Sequence, residues 1–233
     1  MQAVLLVGGR GKRLQPFTDT IPKPMVEVAG RPIVVHQIQW LRGFGVDRFV
    51  LAVSHLKEVI INALGNGSEP GVHISYVTEE YPLGTAGALY NAMSKVKMDG
   101  QPLLVINGDV LTNLNVAGLT GILNDEPQAV GALSLVPLPS PYGVVEMEGN
   151  FIRDFTEKPI LKTHWINGGI YCLRPEIFSN LPNQGSLELD VFPNLARQQK
   201  LLAYKDPNCF WISIDGFKDL EYATRFYQKQ ECS

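Results

Sequence analysis

Short apolar runs alternate with stretches of helical periodicity along the first half of the chain. Ala3 to Val7 is a continuous apolar run that ends in Gly8-Gly9, the pattern of a strand buried on both faces of a parallel sheet. Pro32 to Leu41 carries a helical repeat, with Pro32 in a first-turn position where its missing N–H costs nothing. Arg48 to Val53 reads as a strand, Leu56 to Leu64 as a helix and His73 to Val77 as a strand. A helix over about Thr85 to Lys95 follows, then a strand at Leu103 to Ile106 that stops at Asn107-Gly108-Asp109. This alternation predicts an α/β fold, a mostly parallel sheet with helices on both faces. Beyond residue 128 the pattern changes. Ala129 to Val136, Gly143 to Glu148 and Phe151 to Phe155 read as adjacent antiparallel strands, with a turn at Gly149-Asn150. Ile166 to Leu173 is a further strand, and helices are expected near Pro175 to Asn180 and Leu187 to Gln198.

Composition narrows the class. The 233 residues are 45% hydrophobic and 18% charged, with 20 basic against 23 acidic side chains and a net charge of −3. That suffices for one sizeable core, and the absence of a Gly/Ser linker or a repeat favours a single domain over 1–233. No basic stripe suggests a nucleic-acid face, and no apolar run is long enough to cross a bilayer. Cys172, Cys209 and Cys232 form no CxxC pair and are odd in number, which fits reduced thiols in a cytoplasm.

Open α/β sheets bind ligands at the carboxyl ends of their strands, and unusual segments cluster there. The first is Gly8-Gly9-Arg10-Gly11-Lys12-Arg13-Leu14, followed by Pro16 and then Lys23-Pro24. Glycines let backbone N–H groups approach phosphates, while Arg13 and Lys23 supply charge. Leu14 stands where a dinucleotide fingerprint needs its third glycine, and Lys12 is followed by Arg13 rather than Ser or Thr, which excludes a Walker loop. Taken alone, the run reads more simply as a glycine turn with solvated basic residues. It does not stand alone. With Lys23-Pro-Met-Val-Glu-Val28, Pro82-Leu-Gly-Thr-Ala-Gly87, Asn107-Gly-Asp109, Phe155-Thr-Glu-Lys-Pro159 and Ile166-Asn-Gly-Gly169 it resembles the signature of sugar-1-phosphate nucleotidyltransferases, in the family's order over about residues 1–223.

The resemblance implies a Rossmann-like (GT-A-type) core with a small antiparallel sugar-side lobe. It implies Mg²⁺ as cofactor and a nucleoside triphosphate and a sugar 1-phosphate as partners. Residues 1–125 would form the nucleotide half and 126–233 the sugar-phosphate half. Nucleotide contacts are expected from Leu6, Gly8, Gly9, Gly11, Arg13, Lys23, Glu79, Pro82, Gly84, Thr85 and Gly108. A sugar phosphate is largely dianionic at neutral pH and needs no general base. The obstacle is anion repulsion, so the site must supply cations. Arg13 and Lys23 suit the triphosphate, Lys158 the sugar phosphate, and Asp109 the metal, giving Arg13, Lys23 and Asp109 as the catalytic set.

The second metal carboxylate is less regular. The family commonly has Asp two residues after an aromatic near the C-terminus, where this chain has Ser213. Asp215, four residues after Trp211, resembles the glucose-1-phosphate cytidylyltransferase spacing and is taken as the ligand; Asp219 is then an acidic first-turn residue of the last helix. Glu79 opposite guanine would accept from both N1–H and N2–H. The Pro82–Gly87 segment resembles mannose- and heptose-1-phosphate guanylyltransferases, while the C-terminal half leans to the cytidylyl branch; the balance slightly favours GTP. For the sugar, Glu157 and Asn167 are the expected hydroxyl partners, with Gly143 and Gly168 offering backbone groups. Homo-oligomerisation stays open. A phosphocholine-type cytidylyltransferase, a CTP- or UTP-using sugar enzyme, a GT-A glycosyltransferase and a silent nucleotide-sugar-binding subunit remain alternatives. His36 reads as a packed or surface histidine, and Trp40, Phe44 and Phe49 as core.

Overall fold

The computed structural model describes residues 1–68, 71–97 and 99–231, the side chain of the last excepted, so Cys232 lies outside the described residues. Strand β1 (Gln2–Leu6) runs into a loop of 3-10 turns at Lys12–Leu14, Phe17–Asp19 and Lys23–Met25, closed by a small hairpin of β2 (Glu27–Val28) and β3 (Arg31–Pro32). Helix α1 (Ile33–Arg42), β4 (Arg48–Val53), α2 (Lys57–Leu64), β5 (His73–Thr78), α3 (Gly84–Ala92) and β6 (Leu103–Asn107) follow. Next come β7 (Val110–Thr112), α4 (Val116–Asp125), β8 (Gly131–Pro139), β9 (Val144–Glu148), β10 (Phe151–Thr156) and β11 (Ile160–Leu173). The chain closes with α5 (Phe192–Arg197), β12 (Leu201–Lys205), β13 (Trp211–Ser213) and α6 (Phe217–Glu231).

Seven strands form one sheet in the order β12-β8-β11-β6-β1-β4-β5. β6, β1, β4 and β5 are parallel; β11 runs antiparallel to β6 and β8, and β12 is parallel to β8. From β1 the chain winds outward to β4 and β5, then crosses back to β6 on the other flank of β1. The winding therefore reverses between β1 and β6, and a crevice opens at their carboxyl ends. Alternation along β1 builds a core on each face: Ala3, Leu5 and Val7 pack with Val34, Ile38 and Leu41 of α1, and Val4 packs with Ala86 and Leu89 of α3. Phe49 is fully enclosed, and Trp40 and Phe44 pack against the first core, as expected.

Some expectations are corrected. β8 does not pair with the segment that follows it; β9 and β10 form a separate hairpin, and β8 joins the main sheet between β11 and β12. Pro32 belongs to β3 and precedes the helix, which starts at Ile33. Pro175–Asn180 is a 3-10 segment, and Leu187–Val191 is a π-turn leading into α5. No described helix is long and apolar enough to cross a membrane.

Candidate active site

The reversal of winding leaves a cavity of about 330 Å³ at the ends of β1 and β6. Leu6, Val7, Gly8 and Gly9 line it from β1, Asn107, Gly108 and Asp109 from β6, and Glu79, Pro82, Gly84, Thr85 and Ala88 from the edge of β5 and α3. Lys23 and Pro24 close it. Of the residues expected at a nucleotide, Leu6, Gly8, Gly9, Lys23, Glu79, Pro82, Gly84, Thr85 and Gly108 all lie on this wall. Gly11 and Arg13 do not line it. Gly11 has φ 60°, and a Cβ there would come 2.9 Å from the Lys23 Cβ, so a side chain would displace Lys23.

Asp109 is aimed by its neighbours. The Gly108 N–H donates to the Leu6 carbonyl at 3.0 Å, which staples β6 to β1. A Cβ at Gly108 would meet that oxygen at 2.6 Å, so only glycine allows the approach. Gln37, fully buried on α1, donates its amide to the carbonyls of Asn107 (2.9 Å) and Val110 (2.8 Å), on either side of Gly108-Asp109. Sequence reading missed Gln37. Its signal was a polar residue on the apolar face that carries Val34, Ile38 and Leu41.

The second carboxylate arrives from the far end of the chain. β13 pairs antiparallel with β7, setting Ser213 against Val110, and the Ile214 N–H donates to the Asp109 carbonyl at 2.8 Å. Asp215 thereby reaches the same cation as Asp109: the Lys23 ammonium lies 2.8 Å from Asp109 Oδ2 and 3.2 Å from Asp215 Oδ1. Arg13 adds a contact at 2.9 Å to Asp215 Oδ1. Lys23 is only 9% exposed, so its charge is compensated by these two carboxylates rather than by water. Asp219 does something else. Its Oδ2 accepts the N–H groups of Asp215 (2.9 Å) and Gly216 (2.8 Å), fixing the turn into α6.

Glu79 is half-buried, and burial raises its pKa above the ordinary glutamate value, partly opposed by a hydrogen bond from the Leu83 N–H. Behind the cavity wall the Thr85 hydroxyl donates to Glu188 Oε2 at 2.6 Å. Glu188 also accepts from Ser186 (2.8 Å) and from the Tyr171 hydroxyl (3.1 Å). Tyr171 in turn accepts from the Asn167 amide at 2.8 Å.

Of the residues expected at the sugar, Asn167 and Gly168 lie on β11 of the main sheet, while Gly143, Glu157 and Lys158 flank the separate β9–β10 hairpin. Gly143 faces the Phe155 ring and Glu157, and Glu157 is 3.4 Å from its neighbour Lys158. Both charged side chains are exposed, apart from the Lys23 cluster. Lys158 has φ 50°, a left-handed conformation uncommon outside glycine. Gly168 is buried, and its carbonyl accepts the Trp211 indole N–H at 2.7 Å. His36 is packed, its Nε2 2.7 Å from the Val28 carbonyl and its ring against Tyr227.

Comparison with known proteins places this geometry. The chain is 36% identical to the mannose-1-phosphate guanyltransferase of Schizosaccharomyces pombe and 37% identical to that of Kluyveromyces lactis, in each case over 97% of this chain. It spans 64% of the length of both relatives. A crystal structure of HddC from Yersinia pseudotuberculosis superposes with a TM-score of 0.73 at 27% identity, covering 97% of this chain and 99% of that one. UDP-glucose pyrophosphorylase complexed with UDP-glucose shares the fold, with a TM-score of 0.74 at 20% identity, covering 98% of each chain. The nucleotidyl transferase family profile matches residues 2–230. A glycine-rich wall at the switch point, two converging carboxylates and a near-complete match thus lead to one assignment: the chain belongs to the nucleotidyl transferase family.

Proposed function

We propose that this chain transfers a guanylyl group from GTP to a sugar 1-phosphate, with mannose 1-phosphate the leading substrate, and releases pyrophosphate. The observation that carries the reading is the Lys23 ammonium held between Asp109 and Asp215 at the mouth of the glycine-lined cavity. The names of the relatives support the substrates, and so does HddC, which was solved complexed with GMP-PN. A sugar-phosphate oxygen attacks the α-phosphorus of GTP. The bond to pyrophosphate breaks, and pyrophosphate leaves with the electron pair.

Each residue has a role in bringing two anions together. Gly8 and Gly9 admit the phosphates to the backbone, and Lys23 and Arg13 offset their charge. Glu79 reads the guanine edge as acceptor, while Pro82, Gly84 and Thr85 shape the base-side wall. Lys158 meets the sugar phosphate, its left-handed backbone marking a conformation retained under strain, and Glu157, Asn167 and the backbone of Gly143 and Gly168 meet the sugar. The donor set also suits Mg²⁺. Asp109 and Asp215 converge on one cation, and both side chains are about a third exposed (33% and 37%), leaving room for the waters that ion keeps. When bound by Asp109 and Asp215, Mg²⁺ supplies Lewis-acid polarisation at the α-phosphate.

Pyrophosphate release tests the proposal, with GTP, CTP, UTP and ATP each paired with mannose 1-phosphate and glucose 1-phosphate. GTP with mannose 1-phosphate should be fastest. A preference for CTP or UTP overturns the guanine assignment, and no release from any pair overturns the enzymatic one.

A further inference from the structure

Glu188 belongs to neither set of expected ligand contacts, yet it joins them. Its carboxylate can only accept, so the hydroxyl protons of Thr85, Ser186 and Tyr171 all point at it. Two consequences follow. The Thr85 hydroxyl, which also accepts the Leu187 N–H at 2.8 Å, has no proton left for a ligand in the cavity. The Tyr171 oxygen, its proton committed, presents lone pairs to the Asn167 amide nitrogen, and the Gly169 N–H holds the Asn167 carbonyl from the other side at 2.9 Å. The orientation of the Asn167 amide is therefore dictated from Glu188. Tyr171 is 0% exposed, so no water takes the place of its hydroxyl in the middle of this path.

We propose that Glu188 is a positioning residue that ties the nucleotide wall to the sugar-side strand and sets the Asn167 amide for the sugar phosphate. The inference rests on the function proposed above. Glu188→Gln tests it because the replacement cannot satisfy every partner. With its oxygen kept toward Thr85 and Ser186, its NH₂ faces Tyr171 and turns the phenol proton toward Asn167. Asn167 must then flip and set its NH₂ against the Gly169 N–H. Tyr171→Phe cuts the same path while leaving the hold on Thr85 intact.

Both variants should raise KM for mannose 1-phosphate about tenfold, the effect of losing one charge-assisted or well-aligned hydrogen bond. GTP affinity, titrated without sugar, should stay within about twofold of wild type, because the acceptors facing Thr85 survive in both variants. Thermal melting of each variant separates a folding defect from this split. A purely structural role would lower melting temperature and shift both substrates together, and that result overturns the inference. An unchanged KM in both variants overturns it equally. Should wild type release no pyrophosphate from any substrate pair, the function itself falls and this inference with it; an active wild type with symmetric variants removes the Glu188 role alone.

Discussion

Replacing Lys23 by Met keeps the aliphatic stem and deletes only the ammonium between Asp109 and Asp215. Two charge-assisted contacts at 2.8 and 3.2 Å are lost. Each is worth about 1.5–3 kcal/mol, and the lower end applies because both carboxylates are about a third open to water. The Lys23 side chain is only 11% exposed, so relief of its desolvation offsets part of that loss. The net loss should be about 2 kcal/mol, or ~4–8 °C in Tm for a chain of this size. The two carboxylates are then left facing a vacated cation position, with Arg13 touching only Asp215. Millimolar Mg²⁺ should therefore restore most of the loss in Lys23→Met while moving wild type less, since a cation bound to the native state stabilises by mass action. Differential scanning fluorimetry with Mg²⁺ and with a chelator reads both effects. Turnover should stay depressed at least ~10²-fold even when Mg²⁺ restores Tm, because the charge proposed to meet the triphosphate is gone. A Tm within about 1 °C of wild type, or a loss that Mg²⁺ leaves untouched, would refute the idea that the two carboxylates share one cation position.

Three further outcomes are expected. Asp215→Ala should cost at least ~10²-fold in turnover, whereas Asp219→Ala should cost about 1 kcal/mol of stability and only a few-fold in rate; the reverse pattern in paired kinetics and urea melts would exchange their roles. Gly108→Ala forces a Cβ to within 2.6 Å of the Leu6 carbonyl, so it should lose about 1–3 kcal/mol and most activity, and near-normal behaviour would mean that the β1–β6 staple is dispensable. Burial raises the Glu79 pKa, so folding favours its neutral form: this contribution is full below the unfolded value and lost as pH rises through the folded one. Urea unfolding followed across that window should lose part of its downward slope in Glu79→Gln, and GTP titrations should weaken as Glu79 is protonated; identical pH profiles for wild type and variant would dismiss the effect.

The sequence exposed those parts of the molecule that are local. Strands β1, β4, β5 and β6 announce themselves as apolar runs, and Gly149-Asn150 marks the β9–β10 turn. Helix α4 went unread because two glycines lower its propensity; Asn115 caps its start, and Leu119 and Leu123 hold it to the sheet, so packing overrides propensity. β12 and β13 are short, and their pairing is decided by distant partners β8 and β7. The site divides the same way. Gly8, Gly9 and Gly108-Asp109 are contiguous segments, readable as such. That Lys23, Asp109 and Asp215 meet at one nitrogen is a tertiary fact, and the Thr85–Glu188–Tyr171–Asn167 path links residues with no shared motif.

Asp215 does not ride on the seven-stranded sheet. It follows β13, which pairs only with β7 among the described residues, and beside it Ile214, together with Ala223 of α6, shares a small third core with Leu14, Val28, Ile33 and Leu111, apart from the two cores of the sheet. A small unit of this kind can detach at a lower free energy than the sheet whose strands fill both cores. Mild heat or denaturant should therefore release Asp215 while far-UV ellipticity and the buried strands are still native. Hydrogen exchange would register this as early loss of protection at Ile214 N–H, ahead of the strand amides of β1 and β6. The proposed catalytic centre then carries its own melting point, below that of the protein that houses it.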